Sequence, residues 1–586
     1  MKTLIDTLLR QALTAVPADV LPATLHNAPI EIERTRDAQH GDFATNLAMQ
    51  LAKATRQNPR KIAQALLAAL ATDPAIAKVE IAGAGFINFF LKDDAYHAEL
   101  GTMLSLGKVY GRSQFGAGRS VLVEFVSANP TGPLHVAHGR HAAYGASLAN
   151  LLDAAGYRVT REYYINDAGR QMDIFAVSTW LRYLEHCGEQ FAFPANAYVG
   201  DYIAPIAARL FQVEGVALKH SAAEVFKDLP QDEPQGGDKD VYIDALINRA
   251  RELIGDDGFI HVLKFSLDGI LADIREDLTE FRVTFDSWFS ERSLSDSGAI
   301  DRAIDTLKQR DLAYLKDGAL WFKSTAFGDE KDRVMVRDNG VKTYFASDIA
   351  FILNKRERGF AHLLYVWGAD HHGYIVRLRA GLEAFGGSAE CFEVRLIQVV
   401  SLFRGGEKAK MSKRSGDYVT LRELREEVGN DAARLFYVMR SNDQHLDFDL
   451  ELAKSRSNDN PVYYIQYAHA RVASVQRQLL ERGVAHDAVR GAASYGRLTE
   501  PQEVQLIKRL ATFPEVIQQC AVQRAPHTLV HYLRDLANDF HTYYSAHQFI
   551  VDDAPLRDAR LNLALATQVV IRNGLDLLGV SAPDTM

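Results

Sequence analysis

Cysteine is scarce: Cys187, Cys391 and Cys520 are the only three in 586 residues, and none forms a CxxC pair. This argues against a disulfide framework and a cysteine zinc site, and leaves the three as small apolar thiols expected in the interior. Long apolar runs are missing, so no bilayer-spanning helix is expected. A G-x-x-x-x-G-K-[ST] loop is missing too, which argues against a P-loop enzyme. No internal repeat and no low-complexity tract interrupts the chain. An export signal is not apparent either. Residues 1–15 carry Asp6 and Arg10 inside their apolar stretch and read as an amphipathic surface helix, so a cytoplasmic protein is expected.

What is present fits an ordinary globular protein, with 47% hydrophobic and 24% charged residues. At this length one core is not enough, and three to five domains are expected. The net charge of −9 does not exclude a nucleic-acid partner, because only the contacting faces must be basic. From Arg456 onward there are 13 basic and 13 acidic residues, so the acidic excess lies in residues 1–455 and the C-terminal part repels RNA least.

Three regions are legible. Residues 1–112 form a first α+β unit. It has a helix over 61–71 opened by Asn58-Pro59-Arg60, and strands at 79–82 and 86–91 around Gly83-Ala84-Gly85. Residues 113–455 carry a β-rich run at 121–126, the turn Ala128-Asn129-Pro130-Thr131-Gly132-Pro133, a helix over 134–155 and a strand over 158–165. That is one βαβ unit of a doubly wound, Rossmann-like parallel sheet. Further strands are expected at 363–367 and 394–402, and the stretch from about 190 to 270 reads as an insertion. From about 420 the chain reads as almost wholly helical. Thr420 and Glu423 form a capping box, a helix follows over 432–439, and residues 456–586 form an all-α bundle.

Two segments carry the chemistry. His135-Val136-Ala137-His138-Gly139 opens the helix of the βαβ unit, whose N–H groups and dipole suit phosphate. Histidines three apart share a face of the first turn and can donate to phosphates in a transition state. Lys410-Met411-Ser412-Lys413 supplies two mobile point charges for a leaving pyrophosphate, with Gly405-Gly406 before it and Gly416 after it as hinges. Gly368-Ala369-Asp370-His371-His372 follows another strand, where it can hold ribose or adenine; two metal-binding histidines are the lesser reading.

Together these segments resemble the two nucleotide-handling signatures of the class I aminoacyl-tRNA synthetases. Nearly the whole chain is similar to the arginyl-tRNA synthetases. The similarity rests on residues 123–135, on Tyr164-Ile165-Asn166-Asp167-Ala168-Gly169-Arg170-Gln171, on Tyr344-Phe345-Ala346-Ser347-Asp348 and on residues 460–471. In the first unit it rests on Gly41-Asp42-Phe43-Ala44-Thr45-Asn46 and on residues 85–90. The resemblance implies an enzyme that activates arginine with ATP-Mg²⁺ and transfers it to the 3′-terminal ribose of tRNA, with no tightly bound metal.

It implies the following roles. His135, His138, Lys410 and Lys413 are catalytic. Ala137, Gly139, Gly368, Asp370, His371, Met411 and Ser412 hold ATP. Glu124, Ser127, Asn129, Glu291, Tyr344, Asp348 and His372 hold arginine. Asn88 and Phe90 meet the tRNA elbow, and Tyr463, Tyr467 and Arg471 belong to an anticodon-binding domain. A carboxylate-lined pocket with an aromatic wall suits the planar cationic fork of arginine. Ala137 departs from the family's glycine and is expected to crowd the adenine and weaken ATP binding. No DNA or membrane partner and a monomeric state are expected.

Three rivals remain. A cysteine-specific class I enzyme would need zinc ligands, and a glutamate-specific one a basic pocket. A small nucleotidyltransferase would lack the helical domain after the lysine segment. A non-catalytic paralogue would have lost the histidines or lysines that stand here.

Overall fold

The computed structural model describes residues 1–35, 37–409 and 419–586, which form two compact units. One comprises Met1–Tyr110, Arg471–Phe513 and Asn538–Val570; the other comprises Gly111–Ala470, Pro514–Ala537 and Ile571–Met586.

In the first unit the four-stranded antiparallel sheet runs in the order Glu33–Arg34, Phe43–Thr45, Phe86–Leu91, Ile76–Ala82. The N-terminal helix, Lys2–Ala15, buries Ile5, Leu9, Ala12 and Leu13 and turns the Arg10–Asp6 ion pair outward. The helix expected over 61–71 spans Pro59–Ala69, with the Asn58 side chain accepting from Arg60 N. Gly41 adopts φ +79, and a Cβ there would collide with the Phe89 carbonyl. Its neighbour Asp42 accepts from Leu91 N at 2.8 Å and from Tyr96 Oη at 2.7 Å, so this motif closes the sheet onto the following helix.

The second unit is built on a five-stranded, fully parallel sheet in the order Phe392–Ile397, His362–Gly368, Ser120–Glu124, Arg158–Ile165, Ser287–Ser290. The first strand in sequence is central and buried at every position, which is why its run of Val121, Leu122 and Val123 is unbroken. Strand order reverses beside it, since the chain builds two strands to one side and then two to the other. Ligands bind at such a switch point, outside the carboxyl ends of the strands.

Helix Val136–Ala154 connects the first two strands. Helices Tyr344–Glu357 and Ile375–Ala384 cover the other half and pack Ile349, Ile352 and Leu382 with Leu122, Leu363 and Phe392 in one core. The insertion has a core of its own, where Trp180, Leu210, Leu246 and Val262 meet from helices Arg170–His186, Ile203–Glu214 and Lys239–Glu280.

Four expectations change. The run expected as one strand over 394–402 is two strands, Phe392–Ile397 and Val400–Arg404, in different sheets. The break falls at Gln398, whose N–H donates to Asn442 O and whose carbonyl accepts from Arg140, taking both groups out of any ladder. Gly405 and Gly406, read as hinges, are the two-residue turn between Val400–Arg404 and Glu407–Lys408, at φ +59 and +84. Positive φ at both positions is what a tight primed hairpin requires. The region after 420, read as nearly all helix, includes the strand Leu446–Asp449, parallel to Val400–Arg404. Of the cysteines only Cys520 is buried, its thiol pushed up to about 12 by loss of solvent, while Cys187 and Cys391 are half-buried. Among the described residues no helix is long and apolar enough to cross a membrane.

Candidate active site

A cleft of about 730 Å³ opens at the carboxyl ends of the parallel strands. Each strand delivers a segment to it. Glu124 and Val126 to Asn129 come from the end of the central strand, Tyr164 and Asn166 from that of the second, and Glu291 from that of the third. Trp367 to His371 follow the fourth, and Ile397 to Val399 the fifth.

The first segment leaves its strand through a strained bend. Val126 and Ser127 have φ +69 and +42, and Ser127 N donates to Phe125 O at 3.0 Å, closing a γ-turn on Val126. A β-branched residue in that region costs about 1–3 kcal/mol and persists only where its surroundings hold it. They do: Ser127 Oγ accepts from Tyr164 N at 3.1 Å, and Tyr163 Oη donates to Ala128 O at 3.0 Å. Asn129 follows, bonded to Asn166 and Gln171 at 3.1 and 3.0 Å.

His135 is the N-cap of helix Val136–Ala154, not its first turn as expected. Its Nδ1 accepts from Ala137 N at 3.2 Å, and His138 Nδ1 accepts from His135 N at 3.3 Å. These reciprocal caps leave the proton of each neutral ring on Nε2, so each presents an N–H donor. The rings stack at 3.6 Å. Burial holds both below the ordinary histidine range, His138 well below, and the charge of one further disfavours charge on the other. A third histidine, His141, lines the cleft one turn on and is pushed down to about 4 by burial. Sequence reasoning missed it, although 135, 138 and 141 recur at a spacing of three.

Arg140, 1% exposed, fixes this helix from beneath. Its guanidinium donates to the carbonyls of Gln398, Gln444 and Ser441 at 2.8, 2.8 and 2.9 Å. Gly139 does not line the cleft. A Cβ there would lie 2.7 Å from Leu421 Cδ1 and from Tyr437 Oη, so its smallness serves packing.

The other end of the cleft is acidic. Glu124, Glu291 and Asp348 line it, and no Lys or Arg is among the described lining residues. Asp348 is pushed up to about 7, first by burial and then by the charges of Glu291 and Glu124; Arg377 opposes the shift. Glu291 is raised by burial, against a hydrogen bond from the Tyr164 hydroxyl. Glu124 is raised by burial although Lys355 Nζ sits 2.5 Å away. Tyr344, one turn before Asp348 on the same helix face, is 70% exposed and lines the mouth.

Ala137, Gly368, Asp370 and His371 line the cleft; His372 is exposed and does not. Tyr164 and Trp367 also line it and were not singled out from sequence as site residues. Lys410, Met411, Ser412 and Lys413 lie outside the described residues. In the first unit Asn88 is 4% exposed in the sheet, and Phe90 is half-buried with Lys78 Nζ 4.8 Å above its ring. Tyr463 and Tyr467 stack at 5.7 Å on helix Pro461–Glu481, both half-buried. Arg471, on the same helix, lies over the Tyr544 ring at 4.7 Å and bonds His541 at 3.1 Å.

Three family models match the chain. They are an arginyl tRNA synthetase N terminal domain over residues 3–91, a class I (R) tRNA synthetase catalytic domain over 99–452, and a DALR anticodon binding domain over 465–586. Arginine–tRNA ligases of Thioalkalivibrio sulfidiphilus and Legionella pneumophila are 57% and 53% identical, each match covering 100% of both chains. The solved arginyl-tRNA synthetase of Thermus thermophilus has the same fold, with a TM-score of 0.72 over 100% of both chains at 24% identity. With these matches spanning a cleft that offers imidazole donors at one end and carboxylates at the other, the chain belongs to the arginyl-tRNA synthetases, the arginine–tRNA ligases of class I.

Proposed function

We propose that the cleft binds arginine at its acidic end and ATP-Mg²⁺ at its histidine end, and joins them as arginyl-adenylate before transfer to tRNA. The observation that carries this reading is the excess of carboxylate at the acidic end, which Lys355 behind Glu124 and Arg377 near Asp348 offset only in part. Three carboxylates converge there without a Lys or Arg in the described lining, and Asp348 is held at about 7. A site that strains to ionise its carboxylates is one that a cation relieves.

The guanidinium lies against Asp348 and Glu291 with Tyr344 as its aromatic wall, and His372 stands at the rim. Glu124, Ser127 and Asn129 hold the amino and carboxyl end. An arginine carboxylate oxygen attacks the α-phosphorus, the bond to the bridging oxygen breaks, and pyrophosphate leaves with its electron pair. The Nε2–H groups of His135 and His138 donate to the phosphates as charge builds, and Lys410 and Lys413 meet the pyrophosphate. Gly139 shapes the ATP site by letting the first turn pack closely. Ala137, Gly368, Asp370, His371, Met411 and Ser412 surround the nucleotide. A terminal ribose hydroxyl of tRNA then attacks the activated carbonyl carbon, and AMP leaves. Phe90 faces the tRNA elbow, with the buried Asn88 supporting its strand from within the sheet, while Tyr463, Tyr467 and Arg471 serve the anticodon end. The enzyme works as a cytoplasmic monomer with domains 1–112, 113–455 and 456–586.

Charging of total tRNA with each labelled amino acid in turn tests this. Arginine alone is expected to charge, and only with ATP. Charging by another amino acid would remove the roles given to Tyr344, Asp348 and Glu291.

A further inference from the structure

Lys355 has no exposed surface, although its neighbours in sequence are the polar Asn354, Arg356, Glu357 and Arg358. It lies on the helix that carries Tyr344 and Asp348, two turns beyond Asp348 and on the same face. Its ammonium gathers three strands of the parallel sheet. Glu124 Oε2, ending the central strand, is at 2.5 Å; Tyr365 Oη is at 3.0 Å; Glu162 Oε1 is at 3.6 Å. The same nitrogen lies 3.8 and 4.2 Å over the rings of Phe351 and Tyr365. Glu162, itself without exposed surface, is closed off by Arg358 at 2.6 Å and Ser287 at 3.0 Å.

A buried ion pair is seldom the most stable way to fill such a volume, because apolar residues of similar size pack at least as well. Only Glu124 of this network reaches the cleft. Resting on the reading of the cleft as a cation site, we infer that Lys355 is a positioning residue for amino-acid recognition. Through Glu124 it keeps that carboxylate charged and aimed at the ligand, and through its helix it seats Asp348.

The groups facing Glu124 set the balance. Lys355 and Asp348 come from the helix, Glu162 and Tyr164 from the second strand, Tyr365 from the fourth, and Glu291 from across the cleft. Among the described residues Lys355 is the one cation paired with Glu124, and Arg358 acts one step away, on Glu162. Without Lys355, Glu124 is a buried carboxyl among like charges and takes up a proton. A protonated Glu124 no longer attracts an ammonium group.

The test is ATP–pyrophosphate exchange with saturating tRNA on the full-length wild type, Lys355→Met and Lys355→Arg, across the neutral and mildly alkaline range. In Lys355→Met the arginine KM rises by about tenfold or more, far more than kcat falls. The acidic limb of its KM–pH profile moves to higher pH, and Lys355→Arg recovers part of both. A folded Lys355→Met with unchanged arginine KM and pH profile, or with equal losses in KM and kcat, would overturn the proposal. If Lys355→Met does not fold, Glu162→Gln serves. Freed of one competing carboxylate, Lys355 holds Glu124 more firmly ionised, so arginine KM falls at the acid end of the range; an unchanged KM there would overturn it. A wild type inactive with arginine would overturn the reading of the cleft and this proposal with it.

Discussion

Leu421 N donates to the carbonyl of Leu134 at 2.8 Å, joining the first residue of helix Leu421–Val428 to the residue before His135. Val136 N returns a bond to Val419 O at 3.1 Å, and His135 pairs with Thr420 as an antiparallel bridge. The Tyr437 hydroxyl donates to Val136 O at 2.7 Å from the far side. The start of the histidine helix and the chain at 419–421, distant in sequence, thus share one backbone anchor.

Gly139→Ala loads that anchor. Its Cβ would press on Leu421 Cδ1 and Tyr437 Oη, both at 2.7 Å. Overpacking of this kind costs about 1–3 kcal/mol, and here it displaces the cap of the histidine helix. Thermal melting is expected to show the loss, and exchange assays a fall in kcat larger than any change in arginine KM. An unperturbed kcat in the destabilised variant would separate the anchor from catalysis.

The caps make a prediction about side-chain shape. Asparagine at 138 keeps an acceptor near Nδ1, whereas glutamine keeps a donor near Nε2. If donation to phosphate is the larger role, His138→Gln retains more adenylate formation than His138→Asn, and His138→Ala loses on the order of 10²–10³. Pre-steady-state adenylate formation is the measurement, and the reverse ranking would assign His138 to capping alone.

Asp348 predicts opposite pH trends for binding and stability. Its carboxyl is raised from 3.8 to about 7 in the fold, so arginine KM is expected to rise as pH falls through 7, and arginine binding to release protons there. The histidines, held below their ordinary range, stay neutral through this window and do not share the limb. For stability the sign reverses. Between 3.8 and 7 the unfolded chain ionises this group first, so stability from it is lost as pH rises. Asp348→Asn is expected to gain on the order of 1–3 kcal/mol near pH 8, discounted for partial exposure, and little near pH 4. Calorimetric melts at both pH values check this.

Ala137 lines the cleft in the first turn of the histidine helix. Ala137→Gly is expected to lower the ATP KM by relieving its methyl group, at a helix cost of about 1 kcal/mol. An unchanged ATP KM would show that the methyl does not meet the base.

Much of the fold was legible because its signals are local. The strand over 158–165 falls where expected, and the Thr420–Glu423 capping box forms with both of its bonds. The split of the 394–402 run was not legible, since its cause, Arg140, lies more than 250 residues away in the chain. Lys355 was hidden for the opposite reason: a basic stretch at a helix end reads as solvated, and only the assembled sheet shows its ammonium buried. Gly139 was read as a nucleotide residue because its packing partners, Leu421 and Tyr437, come from beyond the lysine segment.

The most direct test of the acidic cleft is the ratio of kcat/KM for arginine to that for citrulline, its neutral isostere, in wild type and Asp348→Asn. The account predicts a wild-type ratio on the order of 10³ or more, collapsing in the variant because the arginine term falls. A ratio that survives the loss of Asp348 would contradict the claim that this carboxylate reads the cation.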